Sequence, residues 1–228
     1  MKKGIFIVID GVDGSGKATQ TKLLIDALRA EGHIVETISF PQYGKKSAGP
    51  VEEYLSGAYG NANDVGPYAT SILFAVDRFD AAKKIQSWIE AGSMVIADRY
   101  VGSNMGHQGA KISDPDEQKK FFTWDLHLEH EIFKIPKPDL NLVLHVSSTT
   151  SKQLLENREA HEGSKHHLKK DVHEADAEHL AHAEAAYLTL CEQNPDLFRL
   201  IECEENGILL SPEEIHQLIR TSLRSLIS

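Results

Sequence analysis

Only two cysteines, Cys191 and Cys203, occur among the 228 residues, and they form no CxxC pair. A disulfide framework is not indicated, and reduced thiols are the plain reading. No apolar run approaches the roughly 20 residues that a membrane-spanning helix needs. Lys2 and Lys3 precede a short apolar stretch, Ile5 to Ile9, but Asp10 ends it well short of a signal-peptide core. Basic residues are in deficit: 24 Lys and Arg against 34 Asp and Glu give a net charge of −10. An acidic surface repels a phosphate backbone, which disfavours nucleic acid and anionic membranes as partners. Any anionic ligand must be gripped by a local group of cations working against the overall field. Repeats and clear linkers are absent too, so one domain over residues 1–228 is expected, soluble and cytoplasmic. Hydrophobic residues at 41% and charged residues at 25% suit one large core.

Along the chain, strands alternate with helices. Gly4 to Asp10 is a continuous β-branched run, the pattern of a parallel strand covered on both faces. A glycine-rich turn and a helix over about 16–32 follow, then a strand from Ile34 to Phe40 that Pro41 stops. Residues 41–66 read as a long connection with one helical piece at Val51–Leu55, and long connections are often functional. A helix over Pro67–Ala91, a strand over Met94–Ala97, a helix over 114–134 and a strand over Leu140–Val146 come next. Another helix starts near Ser151. Residues 158–174 are charged and histidine-rich, with few large apolar anchors. A helix over 174–193, a strand over Phe198–Cys203, a turn over Glu204–Leu210 and a capped helix from Ser211 onward complete the chain. The pattern predicts an α/β fold, a five-stranded parallel sheet with helices on both faces.

Gly11-Val12-Asp13-Gly14-Ser15-Gly16-Lys17 matches G-x-x-x-x-G-K, between a buried strand and a helix. Glycines let successive N–H groups wrap a triphosphate, the helix N-terminus adds partial positive charge, and Lys17 reaches toward the β- and γ-phosphates. These residues, with Ala18 and Thr19 at the helix start, are the candidate ATP-binding loop. The hydroxyl that normally follows the lysine and ligates Mg²⁺ is replaced by Ala18, and Thr19 lies about 100° further round the helix. Mg²⁺ must then lean on water, nucleotide oxygens, or Asp10 and Asp98.

Asp98 and Arg99 end a strand at the sheet edge that faces ligands in open α/β folds. A guanidinium there can fork onto phosphate oxygens. Phe74 and Arg78, four residues apart, share a helix face and suit a base and its phosphate. They equally suit a core aromatic and a surface arginine.

Taken together, these pieces resemble the thymidylate kinase family. The matching segments are the Gly11–Lys17 loop, Phe40-Pro41-Gln42-Tyr43, Leu73-Phe74-Ala75-Val76-Asp77-Arg78, Asp98-Arg99-Tyr100-Val101-Gly102-Ser103-Asn104, Pro138-Asp139-Leu140, and Asp171-Val172-His173-Glu174 ahead of Tyr187. The resemblance implies a P-loop kinase that moves the γ-phosphoryl of ATP onto thymidine monophosphate, with Mg²⁺, as a homodimer. It implies that Lys17, Arg99, Asp98 and Asp13 are catalytic, with Asp13 near the deoxyribose 3′-hydroxyl and Arg99 on the acceptor phosphate. Phe74 is implied to stack on thymine, with Arg78 and Asn104 at the base edge. Phe40, Pro41, Tyr43 and Ser103 are implied to shape the acceptor pocket. His107 and Gln108 fall where family members vary and receive no assigned contact. A kinase for another monophosphate, or a non-catalytic nucleotide-binding regulator favoured by Ala18, remain open at this point.

An acceptor phosphate with a second pKa of about 6 is largely dianionic at neutral pH, so it needs charge neutralisation and alignment rather than a strong base. Gly14 and Ser15 carry no cation, so the expected lid, about 158–174, is the expected source of one, from Arg158, Lys165, Lys169 or Lys170. The six histidines between His161 and His182 fit no standard zinc spacing.

Overall fold

The computed structural model of the chain describes residues 3–162 and 177–227. Its main sheet contains β1 (Ile5–Gly11), β2 (Val35–Ser39), β3 (Met94–Asp98), β4 (Leu140–His145) and β5 (Phe198–Glu202). The order is β2-β3-β1-β4-β5, and every pairing is parallel. β1 is central, and Phe6, Ile7, Val8 and Ile9 are fully buried, as a strand covered on both faces requires. Its neighbours lie on opposite sides, β3 in register Ile9↔Asp98 and β4 in register Gly11↔Leu144. The crevice at the carboxyl end of β1 is therefore the switch point where such sheets bind ligands.

Helices cover both faces: α1 (Lys17–Ala30), α2 (Gly49–Leu55), α3 (Ala62–Val65), α4 (Pro67–Glu90), α5 (Val101–Gly109), α6 (Pro115–His127), α7 (Ser148–Glu162), α8 (Ala177–Gln193) and α9 (Pro212–Ile227). Two predicted starts have their caps. Asp114 accepts from the N–H groups of Asp116 at 3.0 Å and Glu117 at 2.9 Å, with Pro115 in the first turn of α6. Ser211 and Glu214 bond reciprocally ahead of α9. No helix among the described residues is long and apolar enough to cross a membrane. Cys191 and Cys203 are both free and buried.

Several segments depart from the sequence expectation. The connection over 41–66 holds a 3₁₀ turn, Lys46–Ala48, besides α2 and α3. The helix expected near Ser151 begins at Ser148, and the one expected over 114–134 closes in a π turn, Leu128–Ile132. The turn expected over 204–210 contains a small antiparallel ladder, β6 (Glu204–Glu205) with β7 (Ile208–Leu209). The largest departure is α5, where no element was expected. Its glycines replace the apolar stripe that would betray a helix. A Cβ at Gly106 would stand 2.4 Å from the Tyr187 ring of α8, one at Gly109 would stand 2.6 Å from Phe122, and one at Gly102 would meet Asp10 Oδ2 at 2.6 Å. α5 is thus seated closer to its neighbours than any side chain permits.

Candidate active site

The loop after β1 has the backbone its glycines allow. Gly11, Gly14 and Gly16 take φ values of 139°, 78° and 86°, conformations that L-residues rarely adopt. A Cβ at Gly14 would also stand 2.7 Å from the Ser151 carbonyl oxygen of α7. The Ser151 hydroxyl donates to the Asp13 carbonyl, so the first turn of α7 is bonded to the loop. Lys17 is buried and donates to the carbonyls of Gly11 at 3.1 Å and Val12 at 2.7 Å. Burial, with the Arg99 charge adding to it, lowers its ammonium pKa to about 8. The Ala18 and Thr19 side chains are exposed.

Arg99 follows β3 in the left-handed region, φ 69°. That conformation is uncommon for a residue with a Cβ and marks a position worth explaining functionally. Its N–H donates to the Ile9 carbonyl at 3.0 Å, which fixes the turn. The guanidinium pairs with the Asp13 carboxylate and donates from Nη1 to Ser103 Oγ at 3.3 Å. Burial pulls the Asp13 carboxyl upward, but Arg99 outweighs it and holds the group well below the usual carboxylate range. Asp13 and Arg99 remain about one-fifth exposed, so a ligand can reach them. Asp10 lies beneath. It is fully buried, accepts from the Ser103 hydroxyl on Oδ1, and its pKa is raised by burial.

Two carboxylate oxygens here have no protein partner: Asp10 Oδ2 and Asp98 Oδ1 are both buried and unbonded. They are hard oxygen donors, the type a magnesium ion selects, directly or through its waters. Among the described residues no group of three or more His, Cys, Asp and Glu side chains could hold a metal alone.

The region where the acceptor is expected is built by α4 and the loop after β2. Phe74 is half-buried, with its ring 6.2 Å from that of Tyr54 in an edge-on arrangement. The Phe40–Pro41 peptide is cis, and Tyr43 is exposed. Arg78 is not the surface arginine that one reading of the sequence allowed. It is buried, pairs with Glu129 through Nε at 2.8 Å and through Nη2, and lies 3.5 Å from the Tyr100 carbonyl. Burial acts to lower the Arg78 pKa, and Glu129 overrides it to raise it. Asn104 is buried and donates to Asp125 at 3.0 Å. Burial and the nearby Glu129 raise the Asp125 carboxyl well above its ordinary value. Asn104 Oδ1, Asp125 Oδ2 and Glu129 Oε2 are buried without partners, unspent hydrogen-bonding capacity behind the pocket.

Glu129, Asp125, Asp77 and His107 carry much of this geometry, and sequence reasoning singled out none of them for a role. Glu129 sits in the π turn, outside helical periodicity, and such turns recur at functional sites. Of the expected lid cations, Arg158 falls within α7, although its side chain lies outside the described residues, as do Lys165, Lys169 and Lys170. His179 lies on α8 and stacks against His107.

A family model described as thymidylate kinase matches residues 9–198. The chain is 35% identical to the thymidylate kinase of Mycobacterium tuberculosis over 191 residues, 83% of this chain and 86% of that one. It is 30% identical to the human thymidylate kinase over 145 residues, 64% of this chain and 62% of the other. Among solved structures, the thymidylate kinase of Candida albicans superposes with a TM-score of 0.72 at 20% identity, covering 99% of this chain and 93% of that one.

Proposed function

The chain belongs to the thymidylate kinase family, and on that premise we propose how its residues divide the work of moving the γ-phosphoryl group of ATP onto thymidine monophosphate. The observation that carries the assignment is the corner where Lys17, Asp13 and Arg99 meet at the end of β1. The loop Gly11–Thr19 holds the triphosphate on its N–H groups, and Lys17 exchanges its two carbonyl bonds for phosphate oxygens. Arg99 holds the acceptor phosphate, and Asp13, released from that arginine, faces the 3′-hydroxyl of the sugar. Phe74 stacks on the base, Arg78 and Asn104 meet its edge, and Phe40, Pro41, Tyr43 and Ser103 close the pocket.

The acceptor is already an anion, so the residues neutralise and align rather than deprotonate. This fits a site whose cations are the buried Lys17 and the partly exposed Arg99. ATP is used with a divalent metal, which we take to be Mg²⁺ held by Asp10 and Asp98, directly or through water. Bound there, the ion would neutralise charge on the phosphates.

The reading extends to one kinase domain over residues 1–228, with the segment 158–174 as a lid supplying a cation from Arg158, Lys165, Lys169 or Lys170. It takes the protein as cytoplasmic, supported by the free thiols. It takes it also as a homodimer, supported by an apolar stripe on α4. Ile72, Val76 and Phe79, at helical spacing, are 42%, 39% and 55% exposed. The test is ADP release with Mg-ATP over a panel of nucleoside monophosphates, for the natural chain and for Lys17→Ala and Arg99→Ala. Thymidine and deoxyuridine monophosphates should be favoured over AMP and GMP. Each variant should lose about a hundredfold or more in rate, the scale set by removing a preorganised charge from a desolvated site. A variant with near-natural efficiency removes that residue from the mechanism.

A further inference from the structure

We propose that His107 is a positioning residue for Arg99: its neutral imidazole fixes the guanidinium that receives the acceptor phosphate. The inference rests on the role given to Arg99 above.

Arg99 reaches three acceptors, the Asp13 carboxylate, Ser103 Oγ and, at 3.1 Å from Nη1, His107 Nε2. A guanidinium offers only donors. Nε2 must therefore present its lone pair, which places the ring proton on Nδ1 and leaves the imidazole uncharged. The surroundings agree. Asp13 on the loop favours the charged ring. Burial foremost, then Arg99, His179 on α8 and Lys17 on α1, disfavour it, and the pKa falls well below the ordinary histidine value. The ring is also clamped. It lies nearly parallel to His179, with centroids 5.8 Å apart, and meets the Tyr187 ring edge-on at 5.9 Å. Both partners sit on α8, and α5 can approach that helix because Gly106 lies against Tyr187.

A neutral holder has a use that Asp13 cannot serve. The incoming dianion competes with the Asp13 carboxylate for Arg99, and one of the two anions must yield. A lone pair on His107 orients Nη1 before and during that exchange without contributing a charge of its own. The remaining N–H groups stay aimed at the phosphate, so alignment is present before the ligand arrives.

The experiment compares His107→Gln, which keeps an acceptor and loses the ring, with His107→Phe, which keeps the ring and loses the acceptor. Each is made in the natural chain and in Arg99→Ala, with phosphoryl transfer followed by labelled ATP and melting temperature recorded alongside. If His107 acts through Arg99, the Phe variant loses about tenfold in kcat/KM for thymidine monophosphate, the scale of one hydrogen bond to a charged group. The Gln variant stays within about threefold, while the melting temperatures rank the other way, Phe above Gln, because the ring supplies the packing. In the Arg99→Ala background the Phe substitution costs almost nothing further. An equal cost in both backgrounds, or activity that follows melting temperature, overturns the proposal. Near-natural activity of Arg99→Ala alone instead overturns the role of Arg99.

Discussion

Gln42 and Asp77, 35 residues apart, are joined by three hydrogen bonds. The Gln42 N–H donates to one Asp77 carboxylate oxygen at 2.7 Å, and its side-chain amide donates at 3.1 Å to the other and to the Asp77 carbonyl. Ser47 adds a fourth, from its hydroxyl at 2.6 Å. Asp77 sits between Phe74 and Arg78 on α4, so one buried carboxylate pins the loop carrying Pro41 and Tyr43 to the helix that carries Phe74, the ring proposed to stack on the base.

Asp77→Asn should therefore damage the acceptor site first. An asparagine turns at most one oxygen toward two or three donors and leaves another polar atom mispaired. The expected outcome is a KM for thymidine monophosphate raised about tenfold, on the scale of one or two lost charge-assisted bonds, with KM for ATP little changed. Steady-state kinetics against each substrate decide it. An equal rise for both substrates would make Asp77 a general fold determinant.

A second prediction concerns pH. Lys17 is held to about 8 by burial and is charged below that value. In the role proposed for it, its charge meets the triphosphate, so kcat/KM for ATP should be level up to about 8 and fall above it, because that parameter reports the free enzyme. Lys17→Arg should keep some activity and lose that alkaline limb. A profile of the natural enzyme that stays level to pH 9.5 would count against Lys17 as the titrating cation.

A third addresses the buried pair behind the base pocket. Arg78→Ala leaves the buried Glu129 without its partner, next to the buried Asp125. Breaking such a pair from one side costs about 3–5 kcal/mol, measurable by urea unfolding. Glu129→Gln added to Arg78→Ala should recover part of the loss by removing the stranded charge. A cost under about 1 kcal/mol, the value of a surface pair, would mean that water reaches the site.

The fourth is Ala18. An inner-sphere hydroxyl normally comes from this position, and here the side chain is exposed methyl. Ala18→Ser should reach half-maximal activity at lower free Mg²⁺ than the natural chain, in a titration at saturating ATP and acceptor. Superimposable titrations would show that Asp10, Asp98 and bound water already complete the site.

How much of this was legible in the sequence depends on whether a local rule enforces it. The loop after β1 was legible because its positive φ values leave glycine little competition at Gly14 and Gly16. The capped starts of α6 and α9 were legible because capping is decided within four residues. α5 was not, since glycines make up much of its packed face and leave only Val101 and Met105 as an apolar pair. Arg78 could be read as a ligand contact from its spacing to Phe74, but its partner could not. Glu129 stands 51 residues away in a π turn, and only the tertiary fold brings the two together. His107 was left without an assigned contact, and the role proposed for it rests on the position of Arg99, which only the fold supplies.

The glycine face of α5 also has a consequence for anyone wishing to alter this enzyme. At Gly102, Gly106 and Gly109 even a single methyl group would collide with Asp10, Tyr187 or Phe122, and overpacking of that kind costs about 1–3 kcal/mol each time. Libraries that randomise these three positions will be rich in destabilised variants. The half-exposed rim formed by Tyr43, the loop from Gly44 to Ser47 and the outer side of Phe74 has room for change. A wider or differently shaped acceptor range is best sought on that rim, with Gly102, Gly106 and Gly109 kept as an invariant spine.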